Sequence, residues 1–237
     1  MPNPYFQFKQ FYVYHNQCAM KVGSDGVLLG AWANTNKANH ILDIGSGSGL
    51  IALMLAQRSH ALLHAIDIDK NATLQTQFNF EQSPWKDRMK VWQADVKNLD
   101  TLSKQRYDLI VSNPPFFNNS LKNPDAFRTL ARHTDTLLHT QLIDSALRLF
   151  APEARLSVIL PVAEALAGID YAQAKGLHLE RKTWVLPKPQ APAKRLLLEF
   201  STQCCTTLET EITIETKERN VFTSEYKALL KDYFLKF

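Results

Sequence analysis

The chain has 237 residues, 45% hydrophobic and 21% charged, which suits one α/β domain with additions or at most two small ones. A net charge of +4 and a sequence pI near 8.9 permit an anionic partner without specifying one. No run approaches the ~18 consecutive apolar residues of a membrane span, and MPNPYFQFKQ has no basic segment leading into an apolar one, so a cytoplasmic protein is expected.

Near the N-terminus, YFQFKQFYVYH alternates aromatic and polar residues and reads as a short hairpin over Tyr5–His15. SDGVLLGAWAN reads as a helix, with Ser24 or Asp25 as its N-cap. From His40 onward strand and helix patterns alternate: HILDI, then a glycine loop and the helical LIALMLAQR; the strand ALLHAI and the helix KNATLQTQFNFEQ; the strands MKVWQA and YDLIV; the amphipathic helix DTLLHTQLIDSALRLF; the strand RLSVILP and the helix AEALAGIDYAQAK. This rhythm predicts a doubly wound, mostly parallel sheet. After Gly176 the strands KTWVLP, RLLLEFST and TEITIE follow with no long helix between them, predicting an antiparallel end to the sheet. TSEYKALLKDYFLKF closes the chain as a helix over about 223–237, capped by Thr223 or Ser224. No linker divides the chain, so residues 1–237 are expected to form one domain with an N-terminal extension over 1–35.

The three cysteines, Cys18, Cys204 and Cys205, form neither a CxxC pair nor a zinc-like cluster with histidines, so no metal is expected. Their odd number fits a reducing compartment. Cys204 and Cys205 are expected on a strand, facing opposite ways.

LDIGSGSGL joins the first parallel strand to its helix. Gly45, Gly47 and Gly49 allow a tight turn and close approach of a ligand, and the helix N-terminus beyond offers free N–H groups. A dinucleotide loop would place its third glycine one position later, at Leu50, so that spacing fails. GxGxG after an aspartate resembles motif I of the class I methyltransferases that bind S-adenosylmethionine. Asp67 ends the second strand, where an open α/β sheet binds ligands, and its carboxylate could accept from both ribose hydroxyls. Asp69 is the rival for that role, but two residues later it reads as the cap of the next helix. Asp95 is either a cap or an acceptor for the adenine amino group, and Asp43 could orient the methionine amine.

SNPPFF follows YDLIV. Proline cannot donate to a ladder, so the strand stops there. The residue before a proline is confined to extended backbone. That restriction falls on Asn113 and Pro114, because Pro114 and Pro115 follow them. The edge carries two fixed acceptors, the Asn113 side-chain oxygen and the Pro114 carbonyl, and then an aromatic ring, Phe116, with Phe117 read as packing behind it. Such an edge suits an exocyclic amine on a nucleobase, whose lone pair is delocalised into the ring. Two acceptors on its N–H groups hold that lone pair out of conjugation, and a stacked ring fixes the base plane, worth about 1–3 kcal/mol. Acceptors also stabilise positive charge developing on the nitrogen.

NPPF resembles the hallmark of amino-group methyltransferases acting on adenine N6, guanine N2 or glutamine amide. FKQFYVYHNQCAMKVGSDGVLLGAW, RTLARH and EYKALLKDYFLKF are similar to the bacterial tRNA1(Val) (adenine-37-N6)-methyltransferase family, and the resemblance spans essentially the whole chain. One departure is Ser24, where the family carries Thr; the hydroxyl is kept. The resemblance implies a seven-stranded class I fold and S-adenosylmethionine as methyl donor, with S-adenosylhomocysteine as product. It implies adenine 37 of a tRNA as substrate, and a place for Asp25 over the methionine end of the cofactor.

Without the resemblance, the amine could belong to DNA, RNA or protein. No spare 80–150 residues exist for a DNA-reading domain, whereas RNA loops already present unpaired bases. Two basic stretches suit an RNA footprint. One is the connection 116–133, with Lys122, Arg128 and Arg132; the other is Arg181–Arg195, which contains Arg181, Lys182, Lys188, Lys194 and Arg195 and no acid. Lys21, beside the segment assigned to the cofactor, is a further candidate. The competing readings are a guanine-N2 RNA methyltransferase, a protein-glutamine methyltransferase, whose motif carries Tyr after the prolines, and a non-catalytic RNA-binding module on the same fold.

Overall fold

A computed structural model describes residues 3–16, 21–99, 104–114 and 139–237. Pro115, Phe116, Phe117, Lys122, Arg128, Arg132 and Cys18 lie outside the described residues. The N-terminal aromatic run forms the antiparallel hairpin β1 (Tyr5–Gln7) and β2 (Tyr12–Tyr14). Helix α1 (Ser24–Trp32) follows, then β3 (His40–Ile44), α2 (Leu50–Arg58), β4 (Leu62–Asp67), α3 (Lys70–Glu81), β5 (Met89–Gln93) and β6 (Tyr107–Ser112). After it come α4 (His139–Leu149), β7 (Phe150–Pro161), α5 (Val162–Ala174), β8 (His178–Leu186), β9 (Arg195–Ser201), β10 (Leu208–Thr213) and α6 (Ser224–Leu230).

The main sheet runs β10-β8-β9-β7-β6-β3-β4-β5. It has eight strands rather than seven: β10 extends it by pairing parallel to β8. β9 alone runs against its neighbours β7 and β8. A two-stranded hairpin would have reversed the chain once; here β9 inserts between β7 and β8, which leaves β8 and β10 parallel to the rest. Going outward from β3, the chain builds β4 and β5 on one side and then returns to lay β6 on the other. The crevice of a doubly wound sheet opens at such a reversal, over the carboxyl ends of the strands.

Strands buried on both faces read as continuous apolar runs, and alternate residues feed opposite cores. Ile41, Leu63, Leu109 and Leu197 join the core beneath α1, α2 and the hairpin, while Leu42, Ile110, Leu156 and Leu198 join the one beneath α4 and α5. α1 is buried from Gly26 to Trp32, so it has no solvent stripe. Its cap is Gly23 in extended backbone, with no side-chain bond, so neither Ser24 nor Asp25 caps it. At the other end of the chain Thr223 does cap α6, accepting from the Tyr226 N–H at 3.2 Å, but the helix stops at Leu230 instead of running to Phe237. The turns beyond it let Tyr233 pack into the core and donate to the Met54 carbonyl. Cys204 and Cys205 sit exposed in the β9–β10 loop, not on a strand, because the β9 ladder ends at Ser201. Among the described residues no helix is long and apolar enough to cross a membrane.

Candidate active site

The loop between β3 and α2 turns on left-handed glycines: Gly47 has φ +57° and Gly49 φ +76°. A Cβ on Gly49 would lie 2.9 Å from Phe80 and 3.0 Å from Thr76, whereas one on Gly47 would meet nothing within 4 Å. Gly49 is therefore required by packing against α3, and Gly47 leaves open space above the loop. The loop is held from β4 by the Gly45 and Ser46 N–H groups, both donating to the Ile66 carbonyl.

Three residues of α3 with no motif of their own complete the support. Thr76 donates to the Gly47 carbonyl and also bonds Ser46 Oγ. Asn79, fully buried, donates to the carbonyls of Ser48 and Tyr14 and accepts from the Tyr14 N–H, so one amide ties the glycine loop to the hairpin. Phe80 fills the space beside Gly49. In a helix as polar as KNATLQTQFNFE nothing in the chain marks Thr76 and Asn79 for this role.

Asp67 ends β4 as expected. Its Oδ2 accepts from the Gly47 N–H at 2.8 Å and its Oδ1 from the Asp69 N–H at 2.9 Å. Burial raises its pKa, against the pull of those two N–H groups. Asp69 caps α3, accepting from the Asn71 N–H. Asp95 likewise caps a short 3-10 turn over Val96–Asn98 and pairs with Lys97 at 3.2 Å. Asp43 lies on the face of β3 that meets α2 and is wholly buried. Its Oδ2 accepts from the Ala52 N–H at 3.2 Å, and its Oδ1 has no partner among the described residues. Burial pushes its pKa up to about 7, the Ala52 N–H opposes this, and the charge of Asp67 adds to it.

Ser112, the last residue of β6, donates to the Ile44 carbonyl at 2.8 Å and so ties its strand tip to that of β3. Asn113 emerges just beyond. Its side-chain oxygen is buried and has no hydrogen-bond partner among the described residues. Gly45, Gly47, Ser48, Asp25, Lys21 and Asn113 line one pocket of about 170 Å³. The glycine turn and the asparagine tip thus share a cavity, as neighbouring strands at a switch point require. The Asn113 oxygen, without a donor among the described residues, suits a pocket whose ligand brings N–H groups, because a buried acceptor left unpaired costs about 1–3 kcal/mol; Asp43, which has a second such oxygen, lies behind the loop and is not among the residues lining the pocket. The amine of S-adenosylmethionine and the exocyclic amine of a base have that chemistry, and the bare space over Gly47 suits a cofactor lying close on the loop.

The basic stretch over Arg181–Arg195 contains no acid of its own, yet acids from other elements reach it. Arg181 bonds Glu199 at 2.9 Å and stacks 3.9 Å over Trp32. Glu199 is fully buried and also accepts from Ser157 Oγ and the Asn34 N–H, so the half-buried Arg181 is held against the core by a buried carboxylate. Lys182 pairs with Glu209, Lys188 with Glu215 at 3.7 Å, and Arg195 with Asp25 at 2.8 Å. The Arg195 pair fixes the pocket carboxylate from 170 residues away. Lys194 is exposed and has no ion pair among the described residues.

The family model for the methyltransferase small domain matches residues 19–143. Among solved structures, a predicted O-methyltransferase from Agrobacterium tumefaciens superposes with a TM-score of 0.69 at 17% identity, over 88% of this chain and 96% of its own. A putative class I S-adenosylmethionine-dependent methyltransferase from Listeria monocytogenes gives 0.55 at 15% identity, over 79% and 62%. Fold and pocket together define a class I methyltransferase, whose methyl donor is S-adenosylmethionine. The curated relatives are more specific. The tRNA1(Val) (adenine(37)-N6)-methyltransferase of Parabacteroides distasonis is 50% identical over 100% of both chains, and that of Phocaeicola vulgatus 48% identical over 99% of both. The Klebsiella pneumoniae enzyme of the same name is 41% identical over 99% of this chain and 96% of its own. The chain belongs to the tRNA1(Val) (adenine(37)-N6)-methyltransferase family.

Proposed function

We propose that this chain, acting in the cytoplasm as one methyltransferase domain, methylates the exocyclic N6 amine of adenine 37 in the anticodon loop of tRNA1(Val). The observation that carries the reading is the shared pocket: the donor-less Asn113 oxygen stands over the same cavity as the open face of the Gly45–Gly47 turn. Full-length identity to relatives of that activity supports the substrate.

S-adenosylmethionine supplies an electrophilic sulfonium methyl when bound. Asp67 offers its remaining lone pairs to the ribose hydroxyls, held in aim by the Gly47 and Asp69 N–H groups. Asp43 accepts from the methionine amine through Oδ1, and Asp25, clamped by Arg195, faces the same end. Asp95 serves the adenine edge of the cofactor with the capacity its cap leaves free. Asn113 Oδ1 and the Pro114 carbonyl accept the two N–H groups of the target amine. They draw its lone pair out of conjugation with the ring and stabilise the charge that builds on nitrogen. Pro115 stiffens that edge and Phe116 stacks on the base. Asn113 cannot take a proton, so the proton leaves to water after transfer. Lys21, Lys122, Arg128, Arg132, Lys188, Lys194 and Arg195 are the candidate phosphate contacts. Among them, Lys188 and Arg195 would have to exchange or share their present carboxylate partners.

The test is methyl transfer in vitro onto tRNA from a strain lacking the gene, with the product nucleoside identified by mass spectrometry. N6-methyladenosine at position 37 is expected. N2-methylguanosine would favour the runner-up, and cofactor binding without any transfer would favour an RNA-binding module.

A further inference from the structure

A second groove, of about 510 Å³, adjoins the methyl-transfer pocket: Gly23 and Ser24 line both. Its walls come from distant parts of the chain, Phe6 from the hairpin, Ile214 from just beyond β10, and Phe222, Tyr226 and Phe234 from the C-terminal segment. The rings are already arranged in pairs. Phe222 and Tyr226 stack at 5.2 Å with 24° between planes, and Phe6 lies 5.7 Å from Phe234. Among the described residues one carboxylate, Glu215, lines the groove. It accepts from the Asn220 N–H and sits 3.7 Å from Lys188, which is itself 42% exposed.

An aromatic lining, one N–H acceptor and a half-exposed lysine paired to that acceptor match a nucleobase on an anionic backbone. A volume in the range of small-ligand sites admits one. Continuity with the first pocket specifies which. An RNA strand whose target adenine faced Asn113 would meet the shared Gly23–Ser24 wall one nucleotide on, with Lys21, which lines the first pocket, and Lys188, paired to the Glu215 that lines the second, as the cations offered to its backbone. Building on the reading that the substrate is an anticodon loop, we infer that this groove holds the unstacked base of the nucleotide next to the methylated adenine.

The test uses the full-length chain and anticodon stem-loop RNAs carrying adenine 37: one intact, one abasic at 36 and one abasic at 38. Wild type is compared with Ile214→Trp, which fills the groove, and Phe6→Ala, which removes a ring that is 37% exposed. One of the abasic RNAs should lose on the order of tenfold in kcat/KM with wild type, carried by KM. Both variants should lose a similar factor on intact RNA and nothing further on that abasic RNA, with cofactor affinity by calorimetry within twofold of wild type. Equal KM for all three RNAs with wild type overturns the inference while leaving the proposed activity intact. Multiplicative losses in variant and abasic RNA overturn it as well. Absence of methylation at adenine 37 in every RNA overturns the underlying reading and this one with it.

Discussion

The glycines of the loop should separate into two kinds when each is replaced by alanine. At Gly49, alanine must hold φ +76° and place its Cβ 2.9 Å from Phe80 and 3.0 Å from Thr76. The left-handed backbone costs about 1–2 kcal/mol, and overpacking of a buried contact adds about 1–3 kcal/mol. Phe80 is 2% exposed and Thr76 is bonded on both sides, so neither moves aside easily. Gly49→Ala should therefore lose about 2–5 kcal/mol of folding stability. Gly47→Ala has φ +57° and open space, so only the backbone cost of about 1–2 kcal/mol applies. Its new methyl instead enters the room left for the cofactor, and affinity should fall at least about tenfold, as a clash of about 1.4 kcal/mol or more requires. Urea unfolding measures the first effect and calorimetric titration with S-adenosylmethionine the second. If Gly49→Ala is no less stable than Gly47→Ala, or Gly47→Ala binds cofactor as tightly as wild type, the division of roles is refuted.

Asn113→Ala should lower kcat by about 100-fold or more, by analogy with loss of one preorganised hydrogen-bonding group around a developing charge. Its cofactor affinity, by calorimetry, should stay within threefold; a variant that lost only cofactor binding would contradict the assigned role. For Asp43 the folded carboxyl is raised to about 7 from 3.8, so between those values the folded chain keeps a proton that the unfolded chain has released. Folding stability from this group is present below about pH 4 and is lost as pH rises through about 7. Asp43→Asn should remove that falling slope when unfolding free energy is measured from pH 4 to 8. Arg181→Ala strands a buried carboxylate and should cost about 3 kcal/mol or more. Lys194→Ala should leave stability within about 0.5 kcal/mol but flatten the salt dependence of RNA binding by roughly 0.7–0.9 in log–log slope. If Arg181→Ala changed that slope and left stability untouched, the basic stretch would be a footprint throughout.

Much of this protein was legible along the chain because its signals are local. The apolar runs ending at Ile44, Asp67 and Ser112 specify buried strands by their residue types alone. The glycine spacing and the prolines after Asn113 constrain their own backbones whatever surrounds them. Charge and packing partners were not legible, because they are set by contacts between distant positions. Arg181–Arg195 reads as free positive charge until β10 and the residues after it bring in Glu209 and Glu215, α1 brings Asp25 and β9 the buried Glu199. Asp25 looks like a helix cap until Arg195 claims it, and Asn79 looks like one polar residue among many until the hairpin docks on it. The sheet order likewise waits on packing: β9 prefers the space between β7 and β8, and only there does its Glu199 meet Ser157 on one side and Arg181 on the other. Sequence alone determined the turn at the glycines, the stop at the prolines and the kind of chemistry at those strand tips. Tertiary structure decided which charges remain available to a ligand, since an ion pair exists only where folding brings its two halves together.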